Sequence, residues 1–173
     1  KIPYYDHIEV VIVSEEVAKS HLKEVSEYLI RSSKVRNEFY LAITTDIAKD
    51  VISTTSKEKP IASTFMVDLL EHSKSSDSAG YYAPFTKTLR NILTDGEDAM
   101  LPIFKIEEEK IVLDGLGVLK NYELKEKLNT KEASIMNLLS NFGVRTVFFE
   151  ATCQNNETMV VSIYEADMAI EPN

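Results

Sequence analysis

The chain has 173 residues, of which 44% are hydrophobic and 27% are charged. This composition is that of a globular protein with a real core, and it excludes the disordered, collagen-like and coiled-coil classes. Because 28 Asp and Glu outnumber 19 Lys and Arg, the formal net charge is −9, which argues against broad binding to nucleic acid. The single cysteine excludes an intramolecular disulfide, and the sequence has no run of 18 apolar residues that would span a bilayer.

The first part of the sequence has the pattern of an α/β unit. Residues 8–13 are almost all apolar, as in a strand that is covered on both faces, and residues 39–44 form a second run of β-forming side chains. A helical pattern over residues 15–31 lies between them, with Ser14 as its N-cap and Ser20 as a candidate cap of a second segment. A strand–helix–strand unit of this length predicts a parallel pair of strands.

The rest of the chain continues with helices and then changes to strands from residue 101. Asn129 and Glu132 have the spacing of a capping box at the start of the last helix. A turn at Glu109 between two β-patterned runs predicts an antiparallel hairpin. The further predicted helices are 46–53, 61–72, 85–93 and 130–140, and the further predicted strands are 102–108, 110–120, 147–153 and 159–170.

These elements predict a fold between α/β and α+β, with mixed β-sheets and flanking helices. We assign residues 1–100 to the α/β part of an N-terminal domain and residues 101–143 to a hairpin and helix that complete it. Residues 144–173 are predicted to form a β-hairpin that leads toward a C-terminal domain. An apolar strand so close to the first residue, and a strand so close to the last, predict that the sequence is part of a longer protein.

The side chains that most often carry catalysis or bind metals are few and scattered. His7, His21 and His72 have no shared metal-ligand spacing and are interpreted as structural or surface residues. Cys153 alternates with apolar residues and is interpreted as a buried thiol that lacks an activating base. The acidic run 107–109 lacks the spacing of a calcium loop and predicts a solvated hairpin tip. We therefore predict no catalytic residue, no cofactor and no metal site.

Two glycines form a G-x-G pattern inside a predicted strand. Gly115 and Gly117 are not followed by the third glycine or by the strand-to-helix turn that a dinucleotide-binding site requires. They predict a β-bulge or a close approach of neighbouring groups.

A small basic segment follows the first long helical pattern. Arg31 and Arg36 bracket Ser32-Ser33-Lys34 in an otherwise acidic chain. Arginine binds carboxylate and phosphate groups in a bidentate manner, so these two residues are candidate contacts with a partner protein or a lipid phosphate. The alternative is a favourable charge interaction at a helix C-terminus, and the sequence leaves both open.

The order of the sequence segments resembles that of a known protein family. Residues 3–19 (PYYDHIEVVIVSEEVAK) are similar to the stretch "YFGH-I-x-V-V-I-I-S-E-E-x-A-K" of the spore germination Ger(x)C lipoproteins. Residues 28–43 resemble "F-L-x-R-D-P-E-I-R … F-Y-L-L-I", and residues 48–52 resemble "A-K-D-I-L". The blocks 98–102 and 113–120 resemble "D-A-x-L-P … L-x-G-L-A-V-F-K". The chain departs from the family at Asp6 and Glu126, where Gly is usual, and at Ser32-Ser33, which replace Asp-Pro.

This resemblance implies the C subunit of a nutrient germinant receptor of Bacillus and its relatives, which has no enzymatic activity. It implies a lipid-anchored protein on the extracytoplasmic face of the spore inner membrane, with the lipidated cysteine upstream of Lys1 and with palmitate as an acyl chain. The implied partners are the membrane-embedded A and B subunits of the receptor, and no nucleic acid. The resemblance also implies further strands upstream and a C-terminal domain downstream.

Two other functions stay open from the sequence alone. The chain can be a soluble module that binds a small germinant directly, which a concave apolar pocket with convergent polar groups would favour. It can also be an unrecognised hydrolase, which a cluster of perturbed titratable groups in a cleft would favour.

Overall fold

The computed structural model describes residues 8–32, 38–54, 61–73, 83–139, 146–152 and 158–164. Within these ranges the chain forms strands and helices in a mixed order. The strands are β1 (Val10–Ser14), β2 (Tyr40–Thr44), β3 (Ala99–Glu107), β4 (Lys110–Lys120), β5 (Glu123–Leu128), β6 (Thr146–Thr152) and β7 (Thr158–Tyr164). The helices are α1 (Glu15–Ser20), α2 (Leu22–Arg31), α3 (Ala48–Ser53), α4 (Ala62–Ser73), α5 (Phe85–Leu93) and α6 (Thr130–Leu139).

Five of the strands form one mixed sheet in the order β1-β2-β3-β4-β5. The pairs β1–β2 and β2–β3 are parallel, and the pairs β3–β4 and β4–β5 are antiparallel. The predicted parallel pair is therefore confirmed, in a register that places Val10 opposite Tyr40 and Ser14 opposite Thr44. Strands β6 and β7 form a separate antiparallel pair. The predicted mixed sheets with flanking helices are confirmed.

Helices cover both faces of the five-stranded sheet. On one face, α1, α2 and α5 pack against alternate side chains of the strands. Phe39 and Phe85 stack there with ring centroids 4.7 Å apart, and both rings are fully buried. The larger buried side chains of this layer are Val13, Leu22, Leu29, Leu41, Ile43, Leu101, Ile103, Leu119 and Leu124. The burial of so much apolar area is the main stabilising contribution to this face.

The opposite face is covered in two parts. Helices α3 and α4 contribute Val51, Met66 and Leu70 to a cluster that includes Phe104. Helix α6 covers the far end of the same face, where Ala133 and Met136 pack with Met100, Leu116 and Leu128. The chain is thus a sheet with a helical layer on each side across its described residues.

The β3–β4 hairpin confirms the interpretation of the two glycines. The register shifts between Ile103, which pairs with Gly115, and Phe104, which pairs with Leu113, so Asp114 is the extra residue of a bulge. A Cβ atom on Gly115 would lie 1.9 Å from the backbone oxygen of Leu128. Neighbouring elements therefore approach this strand so closely that only glycine fits.

Several elements differ from the sequence prediction. The helical pattern over 15–31 is two helices that meet at His21, and Ser20 does not cap the second, since its hydroxyl donates to the backbone oxygen of Glu16. Strand β5 was not predicted, because four of its six side chains are charged. Strand β3 begins at Ala99 rather than at Pro102. Proline is tolerated there because β3 pairs with β2 only from Ile103 onward.

Candidate partner-binding surface

Arg31, one of the two predicted contact residues, is the last residue of α2. Its Nη2 atom donates to Oε2 of Glu27 at 3.0 Å, one helical turn earlier. The Arg31 side chain is nevertheless 78% exposed, so the ion pair holds the guanidinium at the surface without burying it. A cation at this position is also favoured by the helix dipole. Arg36, the second predicted residue, lies outside the described residues.

The outer side of α2 carries an aromatic ring next to this arginine. Tyr28 is 72% exposed and precedes Arg31 by three residues, so the two side chains are neighbours on the helix surface. Ile30 is 46% exposed. The opposite side of α2 packs on the sheet through Leu22 and Leu29. The sequence analysis did not single out Tyr28, because its helical spacing does not distinguish an exposed ring from a buried one.

The turn between β4 and β5 comprises Asn121 and Tyr122. Leu29 of α2 and Leu124 of β5 belong to one buried cluster. Burial, and to a smaller extent the nearby carboxylate of Glu27, raise the pKa of the Tyr122 phenol above its ordinary value. We call the exposed residues Glu27, Tyr28 and Arg31 the α2 surface.

The backbone of this turn is unusual for the residues that it contains. Lys120 pairs with Glu123, so Asn121 and Tyr122 form a two-residue loop, with φ angles of 52° and 66°. Positive φ at both positions is the geometry of a type I′ turn, which favours Asn followed by Gly. Asn121 indicates a turn in the sequence, but Tyr122 is not a residue that this turn type favours, so the sequence did not predict the turn.

Two side chains of the α2 surface are of types that are common in protein interfaces. Tyrosine and arginine are enriched at the centres of protein interfaces, where a ring contributes contact area and a guanidinium binds a carboxylate. The described residues contain no group of three or more His, Cys, Asp or Glu side chains arranged to hold a metal ion. No helix among them is both long and apolar enough to cross a membrane.

The other residues singled out in the sequence lie apart from one another. His21 stands at the junction of α1 and α2, and Nδ1 of His72 lies 2.7 Å from the backbone oxygen of Asp68. His7 and Cys153 lie outside the described residues. Glu108 and Glu109 form the exposed turn between β3 and β4, as predicted, with φ angles of 48° and 61°.

Comparison with known proteins identifies the family to which the chain belongs. Residues 1–106 match the family model described as the spore germination protein N-terminal domain, which is more than half of the chain. The chain belongs to the Ger(x)C family of germinant receptor C subunits. A Ger(x)C relative, the spore germination protein GerQC of Bacillus cereus, is 28% identical over 151 residues, which are 86% of this chain and 42% of the relative.

A solved structure has the same fold. The crystal structure of the GerBC protein matches with a TM-score of 0.62 and 17% sequence identity, over 99% of this chain and 50% of that chain. This Ger(x)C chain therefore spans half or less of the length of both relatives. The family resemblance stated from the sequence blocks is confirmed.

Proposed function

We propose that this chain is part of a non-enzymatic C subunit that is required for spore germination in response to nutrients and acts as an assembly scaffold within its receptor. The observation that carries the proposal is the family match over residues 1–106. The α2 surface supports it, because an exposed Tyr28 beside an exposed Arg31 is suited to protein contact.

The proposal also covers the cellular location of the protein and its binding partners. The full-length protein is anchored by a lipidated cysteine upstream of Lys1, on the outer face of the spore inner membrane, where it contacts the membrane-embedded A and B subunits. Residues 1–100 and 101–143 make up its N-terminal domain, and residues 144–173 lead toward a further domain. Arg31 and Arg36 are the proposed contact residues of this part of the chain.

Deletion and complementation test the proposal. Spores that lack the full-length gene should fail to germinate with the nutrient of that receptor, and the intact gene should restore germination. Levels of the A and B subunits should fall in the same spores, because a scaffold protects its partners from degradation. Normal nutrient germination and normal subunit levels in the deletion strain would contradict the proposed function.

A further inference from the structure

The two edges of the five-stranded sheet differ in their chemistry. Strand β5 is one edge, and four of its six side chains are charged, which is a common protection of an edge against pairing with another strand. Strand β1 is the other edge among the described residues, and its positions 10–13 are VVIV, without a charge, a proline or a bulge. The edge at β1 therefore lacks the protection that the edge at β5 has.

Both faces of β1 are packed as in the middle of a sheet. Val11 and Val13 belong to the apolar layer under α1, α2 and α5, whereas Val10 and Ile12 belong to the layer under α3 and α4. A continuous apolar run of this kind is typical of the interior strands of α/β sheets. Strand β1 thus has the sequence and the packing of an interior strand in an edge position.

The backbone of β1 has unpaired hydrogen-bonding groups on its outer side. The N–H of Tyr40 donates to the carbonyl oxygen of Glu9 at 2.9 Å. Because alternate residues of a strand direct their backbone groups to opposite sides, residues 9, 11 and 13 face β2, and Val10 and Ile12 direct their N–H and C=O groups away from it. No strand among the described residues pairs with these outward groups.

An exposed apolar side chain lies near the start of β1. Oε2 of Glu9, directly before β1, accepts hydrogen bonds from the hydroxyls of Ser63 at 2.9 Å and Thr64 at 3.2 Å, in the first turn of α4. Ile61 immediately precedes this helix and is 61% exposed. A further strand beside β1 would therefore have an apolar side chain to pack against, in addition to the backbone groups.

We propose that a strand from the segment that precedes Lys1 in the full-length protein pairs with the outer edge of β1, through the backbone groups of Val10 and Ile12. The inference goes beyond the proposed function, because it concerns the fold of the full-length protein whether or not that protein assembles a receptor.

Three arguments favour this occupant over a strand of a partner protein. The chain covers 42% of GerQC and 50% of GerBC, so a full-length protein of similar length has further segments that can supply a strand. An uncovered apolar edge would pair with other molecules and aggregate, so we expect it to be covered within the protein itself, before any receptor forms. Consecutive strands of a chain usually lie side by side, which favours the preceding segment.

Amide hydrogen exchange of the full-length protein, resolved to single residues, tests the pairing. The N–H groups of Val11 and Val13 face β2 and serve as controls within the same strand. We expect the N–H groups of Val10 and Ile12 to exchange as slowly as these controls, within about ten-fold. Exchange that is faster than this at Val10 and Ile12 would show that the edge is open and would overturn the proposal.

Cleavage of the chain identifies the origin of the strand. A protease site is inserted directly before Lys1 of the full-length protein, and the cut protein is analysed by gel filtration. The preceding segment should elute with the rest of the protein and separate from it only in urea. Its release without urea would assign the edge to another occupant and overturn the proposal. Protection of Val10 and Ile12 that depends on protein concentration, or on added receptor subunits, would do the same.

Two substitutions at position 12 form a matched pair in the cut protein. Ile12→Pro removes an outward N–H without breaking a hydrogen bond to β2, whereas Ile12→Ala also replaces the side chain but keeps the N–H. We expect Ile12→Pro to release at least about ten-fold more of the preceding segment than Ile12→Ala. Equal retention in the two folded variants would overturn the proposal. If Ile12→Pro does not fold, the hydrogen exchange of the wild type decides the question by itself.

Discussion

The Oε2 atom of Glu15 lies 2.7 Å from Nζ of Lys127, and this contact joins the first turn of α1 to the edge strand β5. Nζ of Lys19 lies 2.6 Å from the other carboxylate oxygen, so two ammonium groups share one acid. The hydrogen bond from Lys127, followed by that from Lys19, holds the pKa of Glu15 below its ordinary value of 4.5. The charged side chain of Lys127 thus also ties the edge strand β5 to α1.

This ion pair predicts a specific dependence of stability on pH. The folded state favours the ionised Glu15 carboxylate. The contribution of its lysine contacts to the free energy of unfolding is therefore fully present above pH 4.5, and it is lost as the pH falls through the lowered pKa of the folded state. Glu15→Gln should therefore destabilise the protein at pH 7 by less than about 1 kcal/mol, because the pair is partly exposed. Urea unfolding at pH 7 and near pH 3 measures the difference in stability between the wild type and Glu15→Gln. A destabilisation of equal size at both pH values would show that the charge is not its cause.

Gly115 should be much less tolerant of substitution than Gly96. A Cβ atom on Gly115 meets the backbone oxygen of Leu128, whereas a Cβ atom on Gly96 has no neighbour within 4 Å, and both glycines have a positive φ. Gly115→Ala should cost at least about 4 kcal/mol or prevent folding. Gly96→Ala should cost about 1 kcal/mol, the penalty of the left-handed conformation alone. Denaturant unfolding measures the free energy of unfolding of both variants. An equal loss of stability in the two variants would contradict the close approach of β5 to β4.

The capping box at the start of α6 should stabilise the protein measurably. Oδ1 of Asn129 accepts from the backbone N–H groups of Lys131 and Glu132 at 3.0 Å, and Oε2 of Glu132 accepts from the backbone N–H of Asn129 at 2.9 Å. Asn129→Ala should lower the free energy of unfolding by about 1 kcal/mol. Asn129→Asp, which keeps the acceptor oxygen, is the matched control and should be close to neutral. Equal losses in both variants would assign the effect to something other than the cap.

Local sequence signals predicted the elements whose structure depends on local contacts. The capping box of Asn129, the N-cap at Ser14, whose hydroxyl accepts from the N–H of Val17, and the turn at Glu108 and Glu109 all follow from neighbouring residues. The parallel β1–β2 pair was predictable because a helix separates the two apolar runs.

The missed features depend on contacts that are distant in sequence. Strand β5 presents only Leu124 to the core among its first five residues. One of its charged residues, Lys127, pairs with Glu15 of α1, and the local pattern does not reveal this contact. The α2 surface was half predicted. Arg31 was visible as a basic residue at the end of a helix, but the exposure of Tyr28 depends on how α2 packs on the sheet, which the local pattern does not reveal.

Cys153 is predicted to be a buried spectator thiol, on the sequence pattern alone. It should react slowly with a thiol reagent in the native protein and rapidly after unfolding in denaturant. Cys153→Ser should leave nutrient germination normal when the protein accumulates to its usual level. Fast labelling of the native protein, or a germination defect at normal protein level, would contradict this prediction.

Co-purification tests the central claim most directly. Affinity-tagged full-length protein is isolated from spore membranes in mild detergent, beside a tagged spore lipoprotein of another family at matched abundance. The account predicts that the membrane-embedded receptor subunits are recovered with this protein in amounts comparable to the bait, and at background level with the control. Recovery no higher than that of the control would contradict a role in receptor assembly.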